Sequence, residues 1–190
     1  MDQGPLGPEG ILPEFSPKVS AAGTITSIDV IDGKVDGDFD KLGKILLDNY
    51  SNKIDNDSTT SRYEDTYCPP CPIVSHILDQ ITEDFYNLTH RRVIVDNCWG
   101  HIHEKNMSTN VHCHPGCFGS GVVYISVPKG SGSIVFIPNI DSRNRDAFRT
   151  SFPPERGRYY IFPSYLDHYV TRNESEEKRI SLSFNFQEIK

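Results

Sequence analysis

From Arg91 onward the chain becomes a series of short runs rich in β-branched and aromatic residues, each ended by Gly, Pro, Asn or Asp. The runs are Val93–Asn97, Asn110–His114, Gly121–Val127, Ser133–Ile137, Gly157–Phe162, His168–Arg172 and Arg179–Phe186. Short strands in such number, separated by turn signals, predict an all-β sandwich or barrel.

The first half has a different texture. Thr24–Val30 alternates polar and apolar residues, as a half-buried strand does. Phe39, Leu42, Leu46 and Tyr50 then fall on one helical face, with Asp38 and Asp40 near its start to suit the helix dipole. A second helix is expected after Pro72, with Val74, Ile77, Leu78, Ile81, Phe85 and Leu88 at helical spacing. These stripes are core faces, and two helices ahead of a set of strands are expected to pack on one outer face of a sheet. Ser51–Thr66 reads as a polar surface loop, and Met1–Ala22, rich in Pro and Gly, as an irregular arm. The expected organisation is a single domain over 1–190: an arm at 1–22, a strand with two supporting helices at 23–90, and a β core at 91–190.

Composition narrows the function classes. A formal net charge of -7 argues against a general nucleic-acid binder, which needs a basic face to displace counterions. A local basic patch from Arg91, Arg92, Arg143, Arg145, Arg149, Arg156 and Arg158 remains open, with solvated loop charges as the alternative. No apolar run approaches the ~20 residues of a membrane span. Met1–Pro5 lacks the basic start and apolar core of a signal peptide, so a cytoplasmic location is the default expectation. Five cysteines make an odd count, against a complete disulfide framework. Cys68-Pro-Pro-Cys71 has redox spacing without the strand-before, helix-after context, and reads as a loop leading into a helix.

His112-Cys113-His114 is the sharpest local feature. On an extended strand residues i and i+2 share a face, so both imidazoles can meet one ion. His168, at the start of a later strand, can close a facial set of three. Such a set leaves open positions, the arrangement by which non-haem Fe(II) oxygenases take cosubstrate and O₂. If Arg179 and Ser181 alternate on one strand, both face inward, and Arg offers a planar donor fork for a carboxylate. A dicarboxylic cosubstrate that chelates the metal at one end and meets Arg179 at the other fits that set.

His112-x-His114, a distant His168 and Arg179-x-Ser181 together resemble the Fe(II)/2-oxoglutarate dioxygenase superfamily. Asn110–Pro115 followed by Ser120–Tyr124, then Phe162–Val170 and Arg179–Asn185, is similar to a group of short 2-oxoglutarate oxygenases found in bacteria and phages. The similarity covers Trp99 to Phe186. It implies a mainly β fold with flanking helices around a double-stranded β-helix (jelly-roll, cupin-like) core. It also implies Fe(II) and 2-oxoglutarate as cofactors, O₂ as co-reactant, His112 and His168 as iron ligands, and Arg179 with Ser181 on the C5 carboxylate. Tyr124 is an additional expected donor. The implied reaction hydroxylates a protein side chain such as prolyl, or a small metabolite, and releases succinate and CO₂. Asp141–Arg156 is the expected lid or substrate loop.

The chain departs from most of the superfamily at His114, where Asp or Glu is usual. His114 is the expected third ligand, with Glu104, Asp167 or a Zn(II) site as alternatives. His101 and His103 read as structural histidines that line the pocket mouth at most, and Cys113 and Cys117 as packing residues. Two rival functions stay open: a cupin-like three-histidine metalloprotein that does not use 2-oxoglutarate, and a non-catalytic β-sandwich binding or virion module.

Overall fold

The computed structural model describes residues 19–25, 28–49, 70–138 and 149–189. Its elements are β1 (Val19–Ile25), β2 (Ile28–Lys34), α1 (Phe39–Asp48), α2 (Pro72–Thr89), β3 (Val93–His103), β4 (Thr109–His112), β5 (Gly119–Ser126), β6 (Ile134–Ile137), β7 (Thr150–Phe152), β8 (Arg158–Pro163), β9 (Asp167–Val170) and β10 (Arg179–Glu188). They form a six-stranded sheet in the order β1-β2-β8-β5-β10-β3 and a four-stranded sheet in the order β4-β9-β6-β7. All pairings are antiparallel. The result is a jelly-roll core with two helices outside it.

The period of two along each strand divides the core into two layers. Val123 and Ile125 of β5, Tyr159 and Ile161 of β8, and Ile180, Leu182, Phe184 and Phe186 of β10 join Leu42, Leu46, Ile77, Ile81 and Phe85 in one buried cluster. That cluster seats α1 and α2 on the outer face of the large sheet. The alternate residues Val122, Tyr124, Tyr160 and Phe162 meet Ile134, Phe136 and Phe152 in a second cluster between the sheets. Site residues occupy the same inner face, so the helix layer stiffens the floor of the pocket without entering it.

Local chemistry explains the helix ends. Asp38 caps α1 by accepting the Lys41 backbone N–H at 3.1 Å. Pro72 opens α2 where its missing N–H costs nothing, and His90, at φ 57°, closes it in the left-handed conformation. Gln80 ties α2 to the segment after β2 through both Asp36 backbone groups, and the Tyr159 hydroxyl donates to Asp84 at 3.0 Å.

Several boundaries differ from the sequence expectation. Thr24–Val30 is not one strand: the chain reverses so that Ile25 and Ile28 face each other in register. The alternation breaks at Thr26-Ser27, two successive polar residues, a signal that the reading of one strand passed over. Val19–Ala22, read as part of the arm, belong to β1. β3 runs on through Gly100 to His103, because a Cβ at Gly100 would lie 2.8 Å from Leu46 and the bare backbone is what α1 packs on. β4 stops at His112, before His114. Residues 1–18, Tyr50, the 51–66 loop and Cys68 lie outside the described residues, as do positions 141–148 of the expected lid, whose described part includes β7.

The described arginines of the expected basic patch each meet a specific partner. Arg91 pairs with Glu188, Arg156 with Asp40, and Arg158 with Asp32 and Glu155. Arg92 lies over Tyr86 and Arg149 over Tyr169. These arginines therefore form no common basic face; Arg143 and Arg145 lie outside the described residues. Cys71, Cys98, Cys113 and Cys117 are free thiols, and Cys71 is the residue preceding α2. No described helix is long and apolar enough to cross a membrane.

Gly121 shows how closely neighbouring strands of the large sheet are packed. A Cβ there would lie 2.3 Å from the Phe184 ring and 2.8 Å from the Tyr160 carbonyl oxygen, which is backbone and cannot yield. Gly121→Ala is expected to destabilise the fold by about 1–3 kcal/mol through overpacking. Chemical denaturation of parent and variant measures this, and an unchanged midpoint would contradict the packing described.

Candidate metal and carboxylate site

β10 lies between β3 and β5, and its inner face sets out the polar residues in rows. Arg179 stands opposite His103, Ser181 stands between His101 and Tyr124, and Ser183 stands between Trp99 and Val122. The facing sheet contributes Thr109 and His112 from β4, Ile134 from β6, and His168 and Val170 from β9. Together with His114, these residues line one pocket with about 470 Å³ of space, open to solvent.

His112, His114 and His168 bring one ring nitrogen each within 4.8 Å of one another. His112 and His168 are paired across β4 and β9, with ring centroids 4.2 Å apart. His114 arrives differently from the i, i+2 strand expectation. It follows the strand, and its backbone N–H donates to the Ser164 carbonyl at 2.7 Å, which turns the chain back over β9. The ring then stacks near His168, at 5.2 Å between centroids.

The donor set suits a metal ion. His112 Nδ1 lies 2.8 Å from the Asn110 carbonyl and His168 Nδ1 lies 2.8 Å from the Leu166 carbonyl. A carbonyl can only accept, so both Nδ1 atoms carry the proton and the lone pair of each ring is on Nε2. A backbone carbonyl on the other ring nitrogen is what fixes the tautomer of metal-binding histidines. Burial and then the charge of His112 hold His168 down to about 3 from its ordinary 6.5, so it is neutral at physiological pH. Neither alternative carboxylate joins the cluster. Glu104 pairs with Lys178 at 2.8 Å, and Asp167 is not among the pocket residues.

Arg179 is 1% exposed, and Ser181 and Tyr124 beside it are also buried. Its Nη1 donates to the Ser131 carbonyl at 3.0 Å and its Nη2 to His103 Nδ1 at 2.7 Å. Nε has no partner among the described residues. No Asp or Glu pairs with Arg179 among the described residues. Burial lowers the guanidinium from its ordinary value, yet it stays charged, since arginine does not deprotonate in proteins. Burial raises the Tyr124 phenol, which therefore remains a neutral O–H. A buried cation held only by neutral acceptors, with a donor to spare, is suited to an incoming carboxylate.

Sequence reading found the three histidines, Arg179, Ser181 and Tyr124, and the structure brings all six to one pocket. It underrated His103, which is buried and bonded to Arg179, because a histidine inside an apolar run carries no mark of its partner. Ser131 and Asn173 had no signal at all. Ser131 acts through its backbone carbonyl, and Asn173 through side-chain bonds to the His103 and Glu177 carbonyls at 2.8 and 2.9 Å.

The neutral buried histidines imply a pH dependence of the metal-free protein. His168 and His103 have folded pKa values below the unfolded value, so the unfolded chain binds protons that the folded chain refuses as pH falls through about 6.5. Stability is expected to fall from about pH 7 to about pH 5, by up to about 1.4 kcal/mol per pH unit for each group, while carboxylates remain ionised. Thermal melts across that window test it. A flat profile, or one unchanged in His168→Gln, would contradict the assignment.

Comparison with known proteins agrees with this geometry. Residues 97–185 match the family model described as "Putative 2OG-Fe(II) oxygenase". No curated protein matches the sequence. Among solved structures, an oxidoreductase of the 2OG-Fe(II) oxygenase family from Burkholderia pseudomallei is 18% identical, with a TM-score of 0.51 over 61% of this chain and 58% of that one. The structure of EvdMO1 matches over 90% of this chain and 47% of its own, at 13% identity and a TM-score of 0.57. The α-ketoglutarate-dependent carbocyclase SnoK of nogalamycin biosynthesis is 14% identical, with a TM-score of 0.50 over 60% of this chain and 58% of that one. The chain thus spans about half the length of these structural relatives, and the likeness is one of fold. The family match spans the strands that carry the histidine cluster and Arg179, so this part of the chain is similar to 2OG-Fe(II) oxygenases, a family named for Fe(II) and 2-oxoglutarate.

Proposed function

We propose that this chain is an Fe(II)- and 2-oxoglutarate-dependent oxygenase in which His112, His114 and His168 hold the metal and Arg179 anchors the distal carboxylate of 2-oxoglutarate. The observation that carries the reading is a single pocket containing both a three-histidine cluster and a buried arginine that has no acid beside it among the described residues. Bound iron with 2-oxoglutarate supplies an oxidant from O₂, yielding succinate and CO₂, and hydroxylates a C–H bond of a primary substrate, a protein side chain such as prolyl or a small metabolite.

The protein's own contribution is positioning and dryness. The Asn110 and Leu166 carbonyls keep the Nε2 lone pairs of His112 and His168 aimed at one point. Ser181 stands next but one to Arg179 on the same strand face and offers its hydroxyl to the same carboxylate. Tyr124, its cross-strand neighbour, offers a phenol that burial keeps protonated. Val122, Ile134, Phe162 and Val170 form the apolar wall that limits water near the reacting centre. With His114 as the third ligand, the ion carries one more unit of positive charge than in a site with a carboxylate.

A cupin-like three-histidine protein that does not use 2-oxoglutarate would have no role for a buried cation at Arg179, and a non-catalytic sandwich none for histidines whose tautomers are set for a ligand. Anaerobic addition of 2-oxoglutarate to the Fe(II)-loaded protein is expected to produce the visible metal-to-ligand charge-transfer band. Arg179→Ala should weaken its titration by roughly a hundredfold, the loss of charge-assisted hydrogen bonds to a buried carboxylate. His112→Ala should release the iron. Iron retained by the parent protein with no band on adding 2-oxoglutarate would favour the cupin-like function, and no retained metal would favour the sandwich.

A further inference from the structure

Arg179 is held in an unusual way for a buried cation. The charge-neutral ring of His103 accepts from its Nη2, and a backbone carbonyl accepts from its Nη1. Because a guanidinium can only donate, His103 Nδ1 must be the unprotonated nitrogen. The ring proton then sits on Nε2, which lies 2.8 Å from Thr109 Oγ1 and donates to it. Thr109, on β4 of the facing sheet, is itself buried. His103 is 1% exposed, is the register partner of Arg179, and has its own carbonyl held by Asn173 Nδ2 at 2.8 Å. The imidazole is thus clamped between the two sheets with its acceptor facing the guanidinium.

The other acceptor is placed with equal care. Ser131 lies between Gly130 and Gly132, both at positive φ, and a Cβ at Gly132 would lie 2.5 Å from the Thr171 carbonyl oxygen. Only glycine lets this loop approach the backbone just after β9 closely enough to present the Ser131 carbonyl to Arg179.

We propose that His103 is a positioning residue: it orients Arg179 while leaving its charge uncompensated, and so sets the site's preference for a 2-oxo acid with a second carboxylate. This rests on the function proposed above. A carboxylate at position 103 would orient the guanidinium at least as firmly but would neutralise it before any ligand arrived. An imidazole that accepts one hydrogen bond orients without neutralising. Nε and the second hydrogen on each terminal nitrogen are then left for the ligand. Lysine could not replace arginine here, since a point charge does not hold a planar fork in two directions.

The test compares three variants, His103→Asn, His103→Asp and His103→Leu, as Fe(II)-loaded protein under anaerobic conditions. Each is titrated with 2-oxoglutarate and with 2-oxobutyrate, which shares the chelating end and lacks the second carboxylate; binding is followed by calorimetry and the charge-transfer band. The Asn amide oxygen reaches the place of Nδ1. His103→Asn is therefore expected to keep 2-oxoglutarate binding within several-fold of the parent. His103→Leu should weaken it roughly 10–100-fold, as loss of a group that orients a ligand-binding residue commonly does, with 2-oxobutyrate changed less than about twofold. His103→Asp, nearly isosteric with Asn, should weaken 2-oxoglutarate at least as much as Leu does.

Equal weakening of both acids in His103→Leu would mean a merely structural role and overturn the proposal, as would Asp binding 2-oxoglutarate as well as Asn does. If Leu fails to fold, the Asn and Asp pair decides alone. A parent that binds the two acids equally would instead remove the Arg179 anchor, and this inference with it. A parent that discriminates between them while all three variants match it would remove only the role of His103.

Discussion

The period of two along β10 is the constraint on which both the core and the site depend. Ile180, Leu182, Phe184 and Phe186 lie on one face and hold the helices; Arg179, Ser181 and Ser183 lie on the other and line the pocket. A slip of one residue would put a guanidinium against α1 and leucine in the pocket. The apolar face thus fixes the register that the polar face needs. β3 and β5 follow the same rule, so Ile102 and Val123 belong to the helix layer while His103 and Tyr124 belong to the pocket. Burial of the aliphatic face stabilises by roughly 1.5–3 kcal/mol per large side chain, a sum that can support a few buried polar groups behind it.

Those polar groups are satisfied in ways that fix their orientation. Each of His112 and His168 uses Nδ1 on a backbone carbonyl, which puts the lone pair on Nε2. Arg179 uses one hydrogen of each terminal nitrogen and keeps the rest. Ser120 and Asn185, farther along the same strands, bond to each other at 2.7 Å and on to Asn97, and form a closed network. The contrast separates structural from functional polarity in this fold. Both are buried, but Arg179 in the pocket keeps an unused donor at Nε, which is costly unless a ligand completes it.

Much of this was legible in the sequence, because the pleat is short-ranged. His112, His168, Arg179 and Ser181 were found from spacing and strand texture, and α2 from its 3.6-residue stripe. His114 was found for a reason that does not hold, since it reaches the cluster by a turn anchored on Ser164 rather than by strand alternation. Three kinds of feature were missed. The β1–β2 reversal was read as one strand, although the two successive polar residues Thr26 and Ser27 interrupt the alternation there. The extension of β3 through Gly100 depends on Leu46, far away in sequence. The bond from His103 to Arg179 is a cross-strand contact between residues widely separated in the chain, and no local pattern encodes register between β3 and β10.

The same contact bears on the charge of the whole pocket. Three neutral imidazoles bring no charge to a divalent ion, and Arg179 adds another positive charge that His103 does not cancel. A 2-oxo dicarboxylate bound as proposed supplies two negative charges, one at each end, and leaves the assembly with one positive charge. A carboxylate ligand in place of His114 would bring that total to zero. In the proposed function, imidazole in place of carboxylate would make the cosubstrate more than a chelator: it would be the principal counter-ion in a pocket with no Asp or Glu among its described lining residues. At low local dielectric, attraction between such opposite charges is far stronger than in water. The neutral partner of Arg179 and the neutral third histidine act in the same direction, since both reserve the cancellation of charge for the ligand.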